Sequence, residues 1–502
     1  MSNEELLVEN RAQKLQILEL KNQLAELKRL VFGRKSERFI PAQNLVDQQG
    51  NLFSKPTIEN TDTGQNKSQA EQVIVPAHTR KKSNHKGRTL LAKLSHLPIQ
   101  ETEIFVPHCE DSHCIGQVER NTLAYTPGKF YINKEIIKKY KNSESGDITN
   151  VQFPAHPIPK CEAHITLLVY ICIAKFVDHL PEYRQQKIFK RDGIVIPPST
   201  MNGWIHKCGD LITPMANLIG KSILDSQNIM IDESSIKVMS SKKNRTHTGW
   251  MWVIYSPALR QVQFIYHQGR THDIPINLLK DYSGNYQSDG YKCYDTLDDA
   301  NANAVHSQCN AHARRNFEKA LKNDKHRAGH ALQIYQELYK VEQEIRDYRA
   351  KHEQLSLEQY YMYRTEKRNT LVPVLEKYKQ WLEQQQYNVV PKSVIGKAIA
   401  YALKRWKKLT LYINDGALEI DNNLIENTIR PLALGRKNYL FAGNHEAAEN
   451  IAAFYTIFNT CRHCNINPSD YLTWYLSNVP NTNINQLNTL TPSAYKEKIM
   501  NI

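Results

Sequence analysis

The segment IMIDESSIKVM, residues 229–239, decides how the rest of the chain is read. Its apolar and β-branched residues predict a strand, yet carboxylates stand inside it. Burying an acid such as Asp232 without partners is costly, so a cation-binding role is favoured over simple packing. Outward from this segment, GWMWVIYSP (249–257) and VQFIYHQG (262–269) predict two further strands separated by turn residues. A helix fits HDIPINLLKDY (272–282). The run YQSDGYKCYD (286–295) reads as a strand end with Asp289 before a glycine, although an Asp-Gly pair taken alone is equally a turn. Residues 304–321, AVHSQCNAHARRNFEKAL, predict a short strand and then a helix opening on His312, Arg314 and Arg315.

The fold class that follows is α/β. The order strand-strand-strand-helix-strand-helix-strand is that of a ribonuclease-H-like domain, with a first part over 227–325 and a second over 409–445. Residues 326–408 between them are helical by pattern, and the segment ends in KRWKKLTLY (404–412), whose basic and aromatic residues suit backbone contacts and stacking on nucleic acid. Next comes EIDNNLIENTIRPLALGRKNYLFAG (419–443). Asp421 is a fair N-cap, Leu424, Ile425 and Ile429 form an apolar stripe, and Pro431 is expected to end the helix. A short apolar strand closed by Gly443 should follow. Glu426 and Arg430 are four apart, so alone they read as a surface ion pair. Set beside Asp232 and Asp289, Glu426 becomes the third acid of a split site. Phosphodiester chemistry of this kind uses two divalent ions about 3.5–4 Å apart. Mg²⁺ (or Mn²⁺) takes oxygen ligands, so carboxylates from different elements must converge. Asp289 and Glu426 are 137 residues apart, which implies a helical insertion within the core. His312 reads as a packing or supporting residue rather than a ligand. C-terminal helices occupy 446–502, with Cys461 and Cys464 as a lone, structural CxxC.

The flanking regions point to DNA. The chain of 502 residues carries a net charge of +14, which suits a polyanionic partner. Residues 1–40 predict a zipper helix, with Leu6, Ile17, Leu20, Leu24, Leu27 and Val31 on a and d positions, followed by the basic FGRKSERF. The zipper implies a homo-oligomer, at least a dimer; an amphipathic helix folded onto its own domain is the alternative. Residues 41–100 read as a basic linker. Residues 101–163 hold a degenerate zinc-finger-like module in which Cys109 and Cys114 are the candidate zinc ligands, with His156, Cys161 and His164 further on. Residues 164–226 predict helices, the last capped by Ser199, in a helix-turn-helix-like arrangement that ordinary helical packing explains as well. Nine scattered cysteines do not form a disulfide framework, no apolar run approaches a membrane span, and the N-terminus is unlike a signal peptide. A cytoplasmic, nucleoid-associated protein is expected.

The zipper with GRKSERF, KFVDHLPEYRQQKIFKRDGI, CNAHARRNF and LEIDNNLIENTIRPLALGRKNYLFAG together resemble the large transposase subunit of the IS-sixty-six family of bacterial insertion sequences. The resemblance implies a DDE triad on a ribonuclease-H-like fold with a helical insertion. By motif the triad falls on Asp232 in IDES, Asp289 in SDGY and Glu426 in NLIENTIRP. It also implies binding to the element's terminal inverted repeats and accessory proteins encoded beside it. The family's zinc motif has two cysteine pairs; here Cys109 and Cys114 stand at altered spacing and the second pair is missing, which puts zinc in doubt. Arg430, Arg436, Lys437, Arg314 and Arg315 are the candidate DNA-phosphate contacts. The competing readings are a catalytically inactive or domesticated DNA-binding protein, and a metal nuclease that only hydrolyses.

Overall fold

The computed structural model describes residues 128–133, 155–240 and 245–500. The zipper, the linker, Cys109 and Cys114 lie outside the described residues. Three helices come first: α1 (Ile165–Phe176), α2 (Glu182–Arg191) and α3 (Pro198–Leu224). Pro197, not Ser199, is the N-cap of α3. One face of α3 is buried along its length, through Met201, Ile205, Ile212, Ile219 and Ile223. That spacing is the apolar stripe of a helix lying on a core.

Five strands form one mixed sheet: β1 (Asn228–Ser240), β2 (Arg245–Ser256), β3 (Gln261–His267), β4 (Gly284–Ser288) and β5 (Ala304–Gln308), in the order β3-β2-β1-β4-β5. The first three pair antiparallel. β1–β4 and β4–β5 pair parallel, with α4 (Asp273–Leu279) between β3 and β4, and α5 (Lys292–Ala300) between β4 and β5. The expected run 286–295 therefore divides: the strand stops at Ser288 and Lys292 opens a helix. After β5 come α6 (Asn310–Ala320), α7 (Lys325–Lys351), α8 (Leu357–Asn369), α9 (Val372–Tyr387), α10 (Val394–Lys404) and the short α11 (Trp406–Thr410). The chain then returns to the sheet with α12 (Asn423–Tyr439), α13 (His445–His463), α14 (Pro468–Asn478) and α15 (Pro492–Met500). Among the described residues, no helix is long and apolar enough to cross a membrane.

Two hydrophobic clusters hold these elements. One joins the sheet to α1, α3, α12 and α13; the other runs from Ala313 to Ile420 within the helical segment. Edge strand β3 is closed by side chains rather than by another strand. Thr456 Oγ1 on α13 accepts from Phe264 N at 2.9 Å, and Thr460 Oγ1 accepts from Val262 N at 3.3 Å. Ladder groups that would otherwise be orphaned are thereby satisfied.

The structure corrects the reading of 419–443 at four points. Pro431 does not end α12, which runs on to Tyr439. A proline removes the N–H that would bond the carbonyl four residues back. That carbonyl, on Asn427, instead accepts from Arg462 at 3.3 Å. The helix stops at Leu440, whose φ of 69° is left-handed. The expected apolar strand is a single parallel bridge between Val238 and Ala442. Leu424 is exposed, while Ile425 and Ile429 are buried. Asn422 rather than Asp421 is the cap, and Asp421 accepts from Asn423 N at 3.0 Å in the preceding turn.

Candidate active site

Asp232 and Asp289 reach the same place by strand register. β1 and β4 pair in parallel through Met230↔Gln287 and then part. Asp232 lies two residues beyond Met230, and Asp289 two beyond Gln287. Side chains two apart on a strand share a face. Asp232 therefore follows Met230 to the level of the carboxyl end of β4, where Asp289 begins the next turn and β1 runs on beside β2; that end is the usual position of sites in such sheets.

Glu426, in the first turn of α12, is brought to them by a backbone clasp. Cys309 N donates to Ser288 O at 3.2 Å, Asn310 N to Ile420 O at 3.0 Å, and Gln287 Nε2 to Glu419 O at 2.7 Å. Asn310 Nδ2 adds bonds to Leu409 O at 2.9 Å and Ile420 O at 3.2 Å. The chain before α12 is thus fastened against the ends of β4 and β5. A second fastening lies behind it: Arg364 binds both carboxylate oxygens of Glu419, at 2.9 and 2.8 Å. Glu419 therefore anchors the helical segment instead of starting a helix.

The three acids are half-buried. Asp232 accepts one bond, from Glu233 N at 2.8 Å. Burial, and then the negative charges of Glu233, Asp289 and Glu426, push its carboxyl well above the ordinary range. Asp289 Oδ1 accepts from Tyr291 N at 2.9 Å. Among the described residues no cation pairs with Asp232. Acidic oxygen donors with this charge excess suit hard divalent cations. Among the described residues, His206, Asp210 and Glu446 have ligand atoms within 4.8 Å of one another, and Asp232, Asp289 and Glu426 do not form so tight a group.

The candidate cations divide. Arg430 and Lys437 are exposed on α12. Along a helix of about 3.6 residues per turn they share the stripe of Glu426, and Arg436 lies roughly a quarter turn away. Arg436 is half-buried and donates to Ser234 Oγ at 2.9 Å and to the Ser235 carbonyl, so it ties α12 to β1. Arg314 pairs with Glu318 at 2.8 Å, and Arg315 is half-buried beside His312. His312 Nδ1 is buried without a hydrogen bond, and burial lowers its pKa. The basic end of the helical segment turns inward. Arg405 donates to Gly290 O at 3.1 Å and Lys408 pairs with Asp298, leaving Lys404 and Lys407 exposed. His156 is bonded to the carbonyls of Ile158 and Ala163, and His164 caps α1.

Sequence reasoning missed Glu233 as a separate functional position. Successive strand residues face opposite ways, and the buried Glu233 meets Arg270 Nε at 2.9 Å and the Tyr294 hydroxyl at 2.7 Å. Arg270 lies over the rings of Trp250 and Tyr291, at 4.5 and 3.8 Å. Two adjacent acids in one apolar strand were the available signal.

Asp232 inside β1, Asp289 just beyond the end of β4 and Glu426 on α12 thus form one acidic group, in which the charges of Asp289 and Glu426 act on the Asp232 carboxyl. The chain belongs to the IS66 family of transposases: the family described as "Transposase IS66 family" matches residues 160–450, and "Transposase C of IS166 homeodomain" matches 19–101. Among similar chains of Sinorhizobium fredii, the uncharacterized protein y4jD is 27% identical over 96% of this chain and 95% of its own. The uncharacterized protein y4qI is 28% identical over 92% of this chain and 86% of its own.

Proposed function

We propose that this protein is the catalytic transposase of an insertion sequence, which binds the terminal inverted repeats, cuts the element end and joins its 3′-hydroxyl to target DNA. The observation that carries the reading is the shared electrostatic site of Asp232, Asp289 and Glu426. The strand order β3-β2-β1-β4-β5 supports a ribonuclease-H-like core, with α7–α11 as the helical insertion. Two bound Mg²⁺ or Mn²⁺ ions would supply activation of the attacking oxygen and stabilisation of the leaving one. Asp232 and Asp289 would hold the ions from the sheet side, and Glu426 would complete one site from α12. Arg436 keeps α12 registered on β1, so Glu426 faces the aspartates. Arg430 and Lys437 lie on the stripe that would meet phosphates.

The exposed face of α2 extends that surface. Arg184, Lys187, Lys190 and Arg191 are exposed, and Arg184 donates to Asn438 on α12 at 3.3 Å. α2 is therefore the part of the 164–226 region proposed to lie along DNA. Oligomerisation through the zipper, and accessory proteins of the same element, remain part of the proposal.

The test is strand transfer by purified protein with end-sequence DNA and Mg²⁺ or Mn²⁺. Asp232→Ala, Asp289→Ala and Glu426→Ala should each lower joining by roughly a hundredfold or more, with DNA binding retained. Full joining by Asp232→Ala would overturn the assignment.

A further inference from the structure

Outside the three acids, a connected chain of buried and half-buried polar side chains runs from the backbone of Asp289 to the end of the helical segment. Ser288 Oγ contacts Asp289 O at 2.9 Å and His306 Nε2 at 2.7 Å. Both Ser288 and His306 are buried, and His306 is stacked on Tyr286 with ring centroids 4.4 Å apart. On its other side, His306 Nδ1 lies 3.0 Å from Asp298 and 3.2 Å from Lys408 Nζ. Lys408 also pairs with Asp298, which the Tyr286 hydroxyl bonds at 2.5 Å. Lys408 stands on α11, while Ser288, Asp298 and His306 stand on β4, α5 and β5.

We propose that Ser288, His306 and Lys408 are positioning residues that set the backbone of Asp289, and with it the affinity of the proposed divalent-ion site, according to how the helical segment is seated. This rests on the reading of Asp289 as a metal-holding acid. The chain of contacts gives the mechanism. Lys408 pairs with Asp298, Asp298 holds the His306 ring at Nδ1, and the ring holds Ser288 Oγ beside the carbonyl of Asp289. Without the ammonium of Lys408, Asp298 loses its fastening to the helical segment, the ring is no longer fixed from that side, and Ser288 is freed from its place against Asp289. The same turn is gripped a second time. Arg405 donates to Gly290 O at 3.1 Å, and a Cβ at Gly290 would lie 2.2 Å from the Tyr401 hydroxyl, so only glycine allows that approach.

The experiment uses the full-length protein and follows Mn²⁺ binding by the loss of the free-ion paramagnetic resonance signal, beside end cleavage, DNA binding and thermal melting. Lys408→Met and Ser288→Ala should each weaken Mn²⁺ binding about tenfold, the range seen when groups supporting a metal ligand are lost, with DNA affinity unchanged. Lys408→Arg should restore binding to within about twofold of wild type. Wild-type Mn²⁺ affinity in Lys408→Met and Ser288→Ala, with binding lost in Asp289→Ala, overturns the positioning chain alone. Wild-type Mn²⁺ affinity in Asp289→Ala itself overturns the reading of the site. Should Ser288→Ala fail to fold, the Lys408→Met and Lys408→Arg pair decides the matter, because Lys408 is partly exposed and its replacement leaves no cavity.

Discussion

Asp232 is a half-buried carboxyl set among other acids. Its pKa is raised by burial and by three neighbouring acids, so the folded state holds its proton to higher pH than the unfolded chain does. Its contribution to stability is complete below the ordinary aspartate range and is lost as pH rises through the raised value. Metal-free protein at neutral pH should therefore gain melting temperature in Asp232→Asn. Added Mn²⁺ should raise the melting temperature of wild type and leave Asp232→Asn unchanged. A lower melting temperature of Asp232→Asn in chelator would contradict this. His463 shows the opposite sign. Burial, and then the charges of Arg462 and Arg260, lower its pKa to about 4. Its Nε2 is 2.9 Å from Thr428 Oγ1, whose own proton goes to Leu424 O at 2.8 Å. Stability should fall as pH drops from about 6.5 toward 4, because the unfolded chain takes up the proton first. Denaturant melts of His463→Gln should be flatter across that window. Asp232 was legible in sequence because an acid interrupts an apolar strand. The consequences of His463 were not, since they depend on which residues surround the ring.

At the scale of elements, α12 shows where sequence rules stop. Proline at position 431 announces a helix end, and one guanidinium from α13 cancels the announcement. Nothing local to 419–443 encodes Arg462. The sheet was legible for a related reason: period-2 patterning lies within each segment, whereas satisfaction of a lost hydrogen bond does not. The threonine closure of β3 makes a direct prediction. Thr456→Val keeps the shape but leaves Phe264 N unsatisfied, and should cost about 1–3 kcal/mol in denaturant unfolding. The basic face of α2 makes another. Replacing Lys187 and Lys190 by Ala should weaken DNA binding across sequences and reduce the salt slope by about one per lost phosphate contact. An unchanged slope would remove α2 from the interface.

Across the whole molecule, the helical segment is anchored by a buried charge network. Arg368 is fully buried, bonds Glu342 at 2.6 and 3.1 Å, and donates to the carbonyls of Tyr412, Asp415 and Leu418. Arg368→Leu would leave the buried Glu342 with only its longer pair to Arg364, at 3.6 Å, and should destabilise by about 3–5 kcal/mol; the paired Glu342→Leu change should restore part of the loss. The sequence pointed to the helical segment through the distance from Asp289 to Glu426. Its attachment was misread. KRWKKLTLY looked like a nucleic-acid surface, yet Arg405 and Lys408 bind the turn after β4 and α5, leaving Lys404 and Lys407 exposed, because a basic residue's partner is set by tertiary position and not by its neighbours in sequence.

The clasp that brings Glu426 to the aspartates also sets a schedule for synthesis. Glu426 follows Asp289 by 137 residues, and the bridge from Val238 reaches forward to Ala442. At about 5–20 residues per second, a ribosome needs roughly 7–27 s to pass from the second acid to the third. Throughout that interval the growing chain carries strands and two aspartates but no third ligand. On the proposed function, a transcript cut short there would give a protein that keeps the basic helix α2 and lacks the third acid.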